Sequence, residues 1–167
     1  MDHSEIGRAI GAECLCFRAR RVSRVLTRHF DEALRPLGIQ ATQLTLLGSI
    51  AGPGPGGQTM PRLVEMLAMD ATTLSRNLRP LEKAGLVAIG RSDKDRRIRI
   101  ARLTPGGERL LEAALPVWRE AQDRLVQTLG PEAALDLRTQ FDATAALSLP
   151  MGGSGAGAAR SRRNNAA

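Results

Sequence analysis

Residues 70–104 read DATTLSRNLRPLEKAGLVAIGRSDKDRRIRIARLT. The stretch opens on a residue suited to capping a helix. The Asp70 carboxylate can accept from the N–H of Thr72 or Thr73. Leu74, Leu78 and Leu81 then recur at threes and fours, and Gly85 supplies the glycine that commonly ends a helix. Pro80 removes one backbone donor and predicts a bend one turn before that end. Beyond Gly85, LVAI (86–89) and RIRIARL (97–103) read as two strands flanking a charged loop, GRSDKDR.

Six of the fourteen residues 91–104 are Arg or Lys, yet isoleucine stands at 98 and 100, spaced as if one face were buried. The spacing predicts that Ile98 and Ile100 pin the second strand to the core while the loop projects Lys94, Arg96 and Arg97 into solvent. Asp95, accepting from Arg97, would hold the guanidinium in a fixed direction and reduce its ordering cost on binding. Such a tip suits the narrow minor groove of DNA, whose negative potential attracts arginine. By itself the loop also reads as a solvated charged hairpin. The capped, polar helix in front of it favours the nucleic-acid reading.

Upstream, MPRLVEMLAM (60–69) has the spacing of a short helix with Leu63, Met66 and Leu67 inward. A further helix is expected through QLTLLGSIA (43–51), and GPGPGG (52–57) is a loop. That loop lacks the Gly-Lys-Ser/Thr of a phosphate cradle. A short helix, a tight turn and a polar second helix make a helix-turn-helix, and a hairpin directly after it makes the winged variant. The second helix fits a major groove and presents its N-terminal residues to base edges. Here these are Thr72, Thr73, Ser75 and Arg76: hydroxyls for phosphates or bases, and a guanidinium able to grip guanine bidentately.

The flanks are helical. Residues 6–37 show one apolar stripe (Leu15, Val22, Val25, Leu26, Phe30, Ala33, Leu34, Leu37) and a separate stripe of Arg20, Arg24 and Arg28. A helix of roughly 30 residues, about 45 Å long, needs other helices or a second subunit to cover its stripe. Downstream, Thr104 caps a helix with Pro105 in its first turn and Leu111, Ala114, Trp118, Ala121 and Leu125 inward; Pro116 is a candidate kink. Gly130-Pro131 breaks it, and a final helix carries Ala134, Leu137, Phe141 and Ala145. The expected fold is therefore mainly α with a small β-hairpin. A winged helix-turn-helix spans 40–104, helical segments that need other helices or a second subunit (the dimerisation region, if the resemblance given below holds) span 6–37 and 105–148, and a disordered tail spans 150–167.

Composition agrees. The 167 residues carry a net charge of +7 and a pI near 11.0, which favours a polyanionic partner. Removing Arg160, Arg162 and Arg163 of the Gly/Ala-rich tail still leaves +4. The few aromatic rings (Phe17, Phe30, Phe141, Trp118, no Tyr) argue against stacking on single strands. No apolar run approaches the ~18 residues of a membrane helix and the N-terminus is unlike a secretion signal, so a cytoplasmic protein is expected. His3 and His29 are too few and too far apart for a metal site or a catalytic triad. No cofactor and no enzymatic activity are expected. A basic protein binding nucleic acid without sequence preference stays open; it would bind unrelated duplexes equally, with a steep salt dependence.

LRPLEKAGLV, SDKDRR and LTPGG, in this order and spacing, resemble the winged helix-turn-helix signature of MarR-family transcriptional regulators. The resemblance extends from about residue 12 to 148. It implies a homodimer with interlocked first and last helices, two wings on a pseudo-palindromic duplex site, and release by a small-molecule or oxidant signal. It further implies that Arg97 enters the minor groove with Asp95 positioning it, and that repression is the usual outcome. Pro80 departs from the family pattern and bears on how Arg79, a further expected DNA contact, is presented.

ECLCFRARR holds the two cysteines, Cys14 and Cys16. In one continuous helix their side chains stand about 200° apart, so a bond between subunits or to a small thiol is expected before one between the two. LCF is similar to the stretch around the peroxide-sensing cysteine of OhrR-type members, which would give Cys16 that role, although the tyrosines of that subfamily are missing. The alternative is plain packing. A ligand trigger, such as a small aromatic acid held near Arg20, Arg24 and His29, is the competing expectation; these residues also read as an ordinary polar face.

Overall fold

The computed structural model describes residues 2–54, 56–92 and 95–147. Asp93, Lys94 and the expected tail lie outside them. The chain divides into two units, the first ending at Leu125.

In the first unit the expected single N-terminal helix is two: α1 (His3–Glu13) and α2 (Leu15–Leu34), followed by a 3₁₀ turn (Arg35–Leu37). The break is at Cys14, whose extended backbone (φ −70°, ψ 110°) makes it the N-cap of α2, with its Sγ accepting from the Phe17 N–H at 3.4 Å. The two thiols therefore do not share a helix, and the opposite-face argument does not hold for them. Gly38 (φ 68°) turns the chain into α3 (Ala41–Ala51). The N–H of Ala41 is tied back to the Asp31 carboxylate at 2.7 Å.

A two-residue strand, β1 (Gln58–Thr59), precedes α4 (Met60–Met66), α5 (Ala71–Lys83), β2 (Val87–Arg91), β3 (Arg99–Leu103) and α6 (Pro105–Leu129). The hairpin expected from sequence is thus a three-stranded antiparallel sheet in the order β1-β3-β2, with Gln58 opposite Ala101 and Val87 opposite Leu103. Gly57 makes the approach of β1 possible. Its φ of 74° suits glycine, and a Cβ there would overlap the Ala101 carbonyl oxygen.

One core holds the reading head together. Leu46, Leu47 and Ile50 of α3, Leu63 of α4, Leu74, Leu78 and Leu81 of α5, Val87 and Ala101 are all buried together. The leucine spacing that predicted the face of α5 is realised in full. In α4 and the residue after it, Leu63 and Leu67 face the core as expected, but Met66 is 47% exposed and Val64 packs there in its place. Helix α5 also runs through Pro80 as far as Lys83, where Gly85 (φ 68°) follows its C-cap. Thr104 caps α6 as expected, with its hydroxyl accepting from Gly107 N–H and donating to the Gly85 carbonyl. A Cβ on Gly107 would overlap the carbonyl oxygen of Leu86, so the start of α6 lies directly on the chain leading into β2.

A second, smaller cluster joins Leu34, Ile39 and Ala114, with Phe30, Leu37, Leu44 and Val117 beside it. Gly107, Ala114 and Ala121 are the buried residues of α6, while Trp118 is 38% exposed. The second unit holds the end of α6 and α7 (Pro131–Ala145); in it Ala134 is buried, and Leu135 and Phe141 are exposed. Among the described residues no helix is long and apolar enough to cross a membrane.

Candidate nucleic-acid interface

Asp70 starts the reading helix as the sequence predicts. One carboxylate oxygen accepts from the Thr73 N–H at 2.8 Å and the other from the Thr73 hydroxyl at 2.7 Å. These bonds, the hydroxyl's first, hold the Asp70 carboxyl below its ordinary range, and the charge of Arg76 adds to them. The hydroxyl proton of Thr73 is therefore committed to the cap and Thr73 is half-buried, so its part is to fix the helix start.

Thr72, Ser75, Arg76 and Arg79 are all exposed and follow the spacing i, i+3, i+4, i+7, which is a single helical face opposite Leu74, Leu78 and Leu81. Ser75 donates to the Ala71 carbonyl at 2.8 Å and keeps its lone pairs outward. Lys83 continues the face one turn past Arg79 and is exposed as well. Sequence reading stopped at Arg79; the i+4 step to Lys83 is the signal that extends it.

The wing is a turn braced by its own backbone. Asp95 accepts from the backbone N–H of Arg97 at 2.9 Å, in place of the guanidinium bond expected from sequence. The Asp95 carbonyl takes the N–H of Ile98 at 3.0 Å, the Ile98 carbonyl takes that of Ser92 at 2.8 Å, and the Arg91 guanidinium donates to the Arg96 carbonyl. Asp95 thus shapes the loop that carries Arg96 and Arg97, both exposed. Ile98 belongs to this turn and not to β3. It is 37% exposed, and β3 is anchored instead by the buried Ile100 and Ala101, with Leu103 packed against the core. Lys94 lies outside the described residues.

The remaining candidates are dispersed. His29 hydrogen-bonds the Ala121 carbonyl at 2.8 Å, tying α2 to α6. Arg24 lines an open groove with Arg21, Val25, Thr27 and Arg28, and Arg20 a smaller one with Ala19, Ser23 and Arg24. Neither groove includes His29. The apolar cleft of this unit is elsewhere, between α2, α3 and α6. It measures about 590 Å³ and is walled by Phe30, Leu34, Leu44, Leu111, Leu115 and Trp118, with Thr45, Gly48 and Glu112 at its edge. Cys14 is half-buried and Cys16 exposed.

Comparison with known proteins agrees with this geometry. The MarR-family profile matches residues 37–98, from the turn after α2 through the wing. The M. tuberculosis transcriptional regulator MosR in complex with DNA is 33% identical, with a TM-score of 0.69 over 82% of this chain and 100% of that one. MosR in a further crystal structure is 31% identical, at a TM-score of 0.64 over 81% of this chain and 98% of that one. A mutant of E. coli MarR complexed with operator DNA is 25% identical, with a TM-score of 0.71 over 81% and 96%. No curated protein sequence gives a significant match. With its winged helix-turn-helix, exposed polar face on α5 and basic wing, the chain belongs to the MarR family of DNA-binding transcriptional regulators.

Proposed function

We propose that the protein is a cytoplasmic homodimer that binds a pseudo-palindromic duplex site and represses by covering it, until a small molecule enters the α2–α3–α6 cleft. The observation that carries the DNA reading is the α5 face. Thr72, Ser75, Arg76, Arg79 and Lys83 stand exposed on one side of a helix whose opposite side carries the fully buried Leu74, Leu78 and Leu81. In the major groove Arg76 and Ser75 read base edges while Arg79 and Lys83 meet phosphates; Arg96 and Arg97 of the wing reach the minor groove. The dimer reading rests on apolar side chains left uncovered at both ends: Ile6, Ile10, Leu15 and Phe17 in the first unit, Leu135 and Phe141 in the second.

The test is a titration of the reduced protein against the DNA upstream of its own gene and a scrambled duplex, at two salt concentrations. A preference of about a thousandfold or more is expected for the upstream DNA. Arg97→Ala should lower affinity for all sites and shrink the salt slope, whereas Arg76→Ala should also relax base preference at one position per half-site. Equal, salt-sensitive binding to both duplexes would point to a general nucleic-acid binder.

A thiol trigger is the second reading, favoured by the helix break at Cys14. Extended backbone there frees the two sulfurs from a common helix, and Arg18, Arg20 and Arg21 add positive charge nearby in sequence. Peroxide should then abolish operator binding in the wild type and spare it in Cys16→Ser; release by peroxide in both would rule it out.

A further inference from the structure

The α2–α3–α6 cleft has a charge character opposite to that of the protein as a whole. The chain carries +7, yet the one ionisable side chain lining the cleft is Glu112, and among the described residues its carboxylate has no hydrogen bond or ion pair. Glu108, one helical turn earlier, lines the adjoining cavity with Glu112 and deepens the negative potential at this edge. The polar atoms that remain are mostly acceptors. Thr45 spends its hydroxyl proton on the Ala41 carbonyl at 2.9 Å, so only its lone pairs are left for a ligand. The one side-chain donor is the neutral indole N–H of Trp118, which does not balance a carboxylate's charge, whereas the indole face is compatible with a cation.

Gly48 is the second observation. It sits in the interior of α3, where glycine is the least favourable residue after proline, and its backbone is ordinary helix. An added Cβ would meet nothing within 4 Å, so packing within the chain does not demand glycine here. What its missing side chain does is widen the cleft that it lines.

We propose that this cleft takes an apolar molecule bearing one protonated amine. Glu112 receives the ammonium with Thr45 accepting beside it, and Phe30, Leu44, Leu115 and Trp118 hold the apolar body. The proposal rests on the reading of this cleft as the trigger site, and it replaces the aromatic acid suggested by the arginines of α2. A carboxylate in the cleft would be repelled by the solvent-exposed Glu112 with no cation among the lining residues to offset it.

Trp118 is the sole tryptophan and lines the cleft, so its emission reports occupancy independently of any DNA. The probes are para-cyclohexylbenzylamine, the neutral para-cyclohexylbenzyl alcohol and para-cyclohexylbenzoate, titrated into the full-length protein at neutral pH. The amine is expected to bind at least about tenfold more tightly than the benzoate, with the alcohol between them. Glu112→Gln should collapse that ratio to near one while thermal stability is unchanged. Gly48→Leu should abolish binding of all three, and Gly48→Ala should weaken it in a protein at least as stable as the wild type. The proposal is overturned if the benzoate binds as well as the amine, if Glu112→Gln keeps the preference, or if no probe alters Trp118 emission. Operator titrations with the amine present separate the two readings. Amine binding that leaves DNA affinity unchanged would remove the trigger role and keep the selectivity of the cleft.

Discussion

Helices α1 and α5 are of similar length and both are amphipathic, yet one is finished within the chain and the other is not. In α5, Leu74, Leu78 and Leu81 are 0% exposed, in one core with residues of α3, α4 and the sheet. In α1 no residue is buried, and Ile6 and Ile10 are 40% and 55% exposed. The difference lies partly in the stripe itself, which is weaker in α1 with only Ile6 and Ile10, and partly in what surrounds it. The reading head closes its own core, so α5 can present its polar face from a fixed support. The N-terminal helix keeps an apolar surface that no other described residue covers fully.

Three substitutions test this contrast at different depths. Gly107→Val should have the largest effect, because its Cβ overlaps the Leu86 carbonyl and would push α6 off the chain entering β2. A loss on the order of 4 kcal/mol is expected in chemical denaturation. A loss below about 1 kcal/mol would mean that α6 starts independently of the sheet. Next comes a matched pair. Leu78→Ala should cost about 3 kcal/mol by leaving a cavity in the core. Ile10→Ala should cost under about 0.5 kcal/mol in the dilute monomer, yet shift sedimentation towards the monomer at concentrations where the wild type is dimeric. Equal stability losses from the two would erase the distinction between the helices.

The smallest effect concerns the cap. The Asp70 carboxyl lies below its ordinary range in the folded state, so its contribution is present above the unfolded carboxylate range and is lost as pH falls through the lowered folded value. Asp70→Asn keeps a capping acceptor and removes this titration. Its melting temperature should match the wild type more closely at acid pH than at neutral pH, as followed by circular dichroism. A constant gap across pH would show that Asp70 does not titrate with folding.

How much of this was legible in the sequence depends on how local the cause is. The cap at Asp70, the leucine stripe of α5, Gly85 and the Thr104–Pro105 start of α6 each depend on residues within a few positions, and each was readable. The break at Cys14 was not, because apolar spacing continues across it and no proline or glycine marks it. Strand β1 has no apolar pattern of its own; it exists because β3 has a free edge and Gly57 lets the chain reach it. The turn between α4 and α5 hides a similar surprise in Ala68, a non-glycine residue at φ 48°. On α5, Thr72, Ser75 and Arg76 were readable from their place at the helix start and Arg79 from the family resemblance, whereas helical spacing sets Thr73 apart and adds Lys83. The cleft could not be read, since its walls come from segments some seventy residues apart in the chain.

Two residues of β1 have a consequence beyond joining the sheet. They occupy the outer edge of β3 at Ile100 and Ala101, where an apolar strand would otherwise present unpaired N–H and C=O groups. Exposed strand edges of this kind recruit other chains into continuous sheets. The short strand therefore acts as a guard against aggregation, and Gly57 is the residue that lets it stand there.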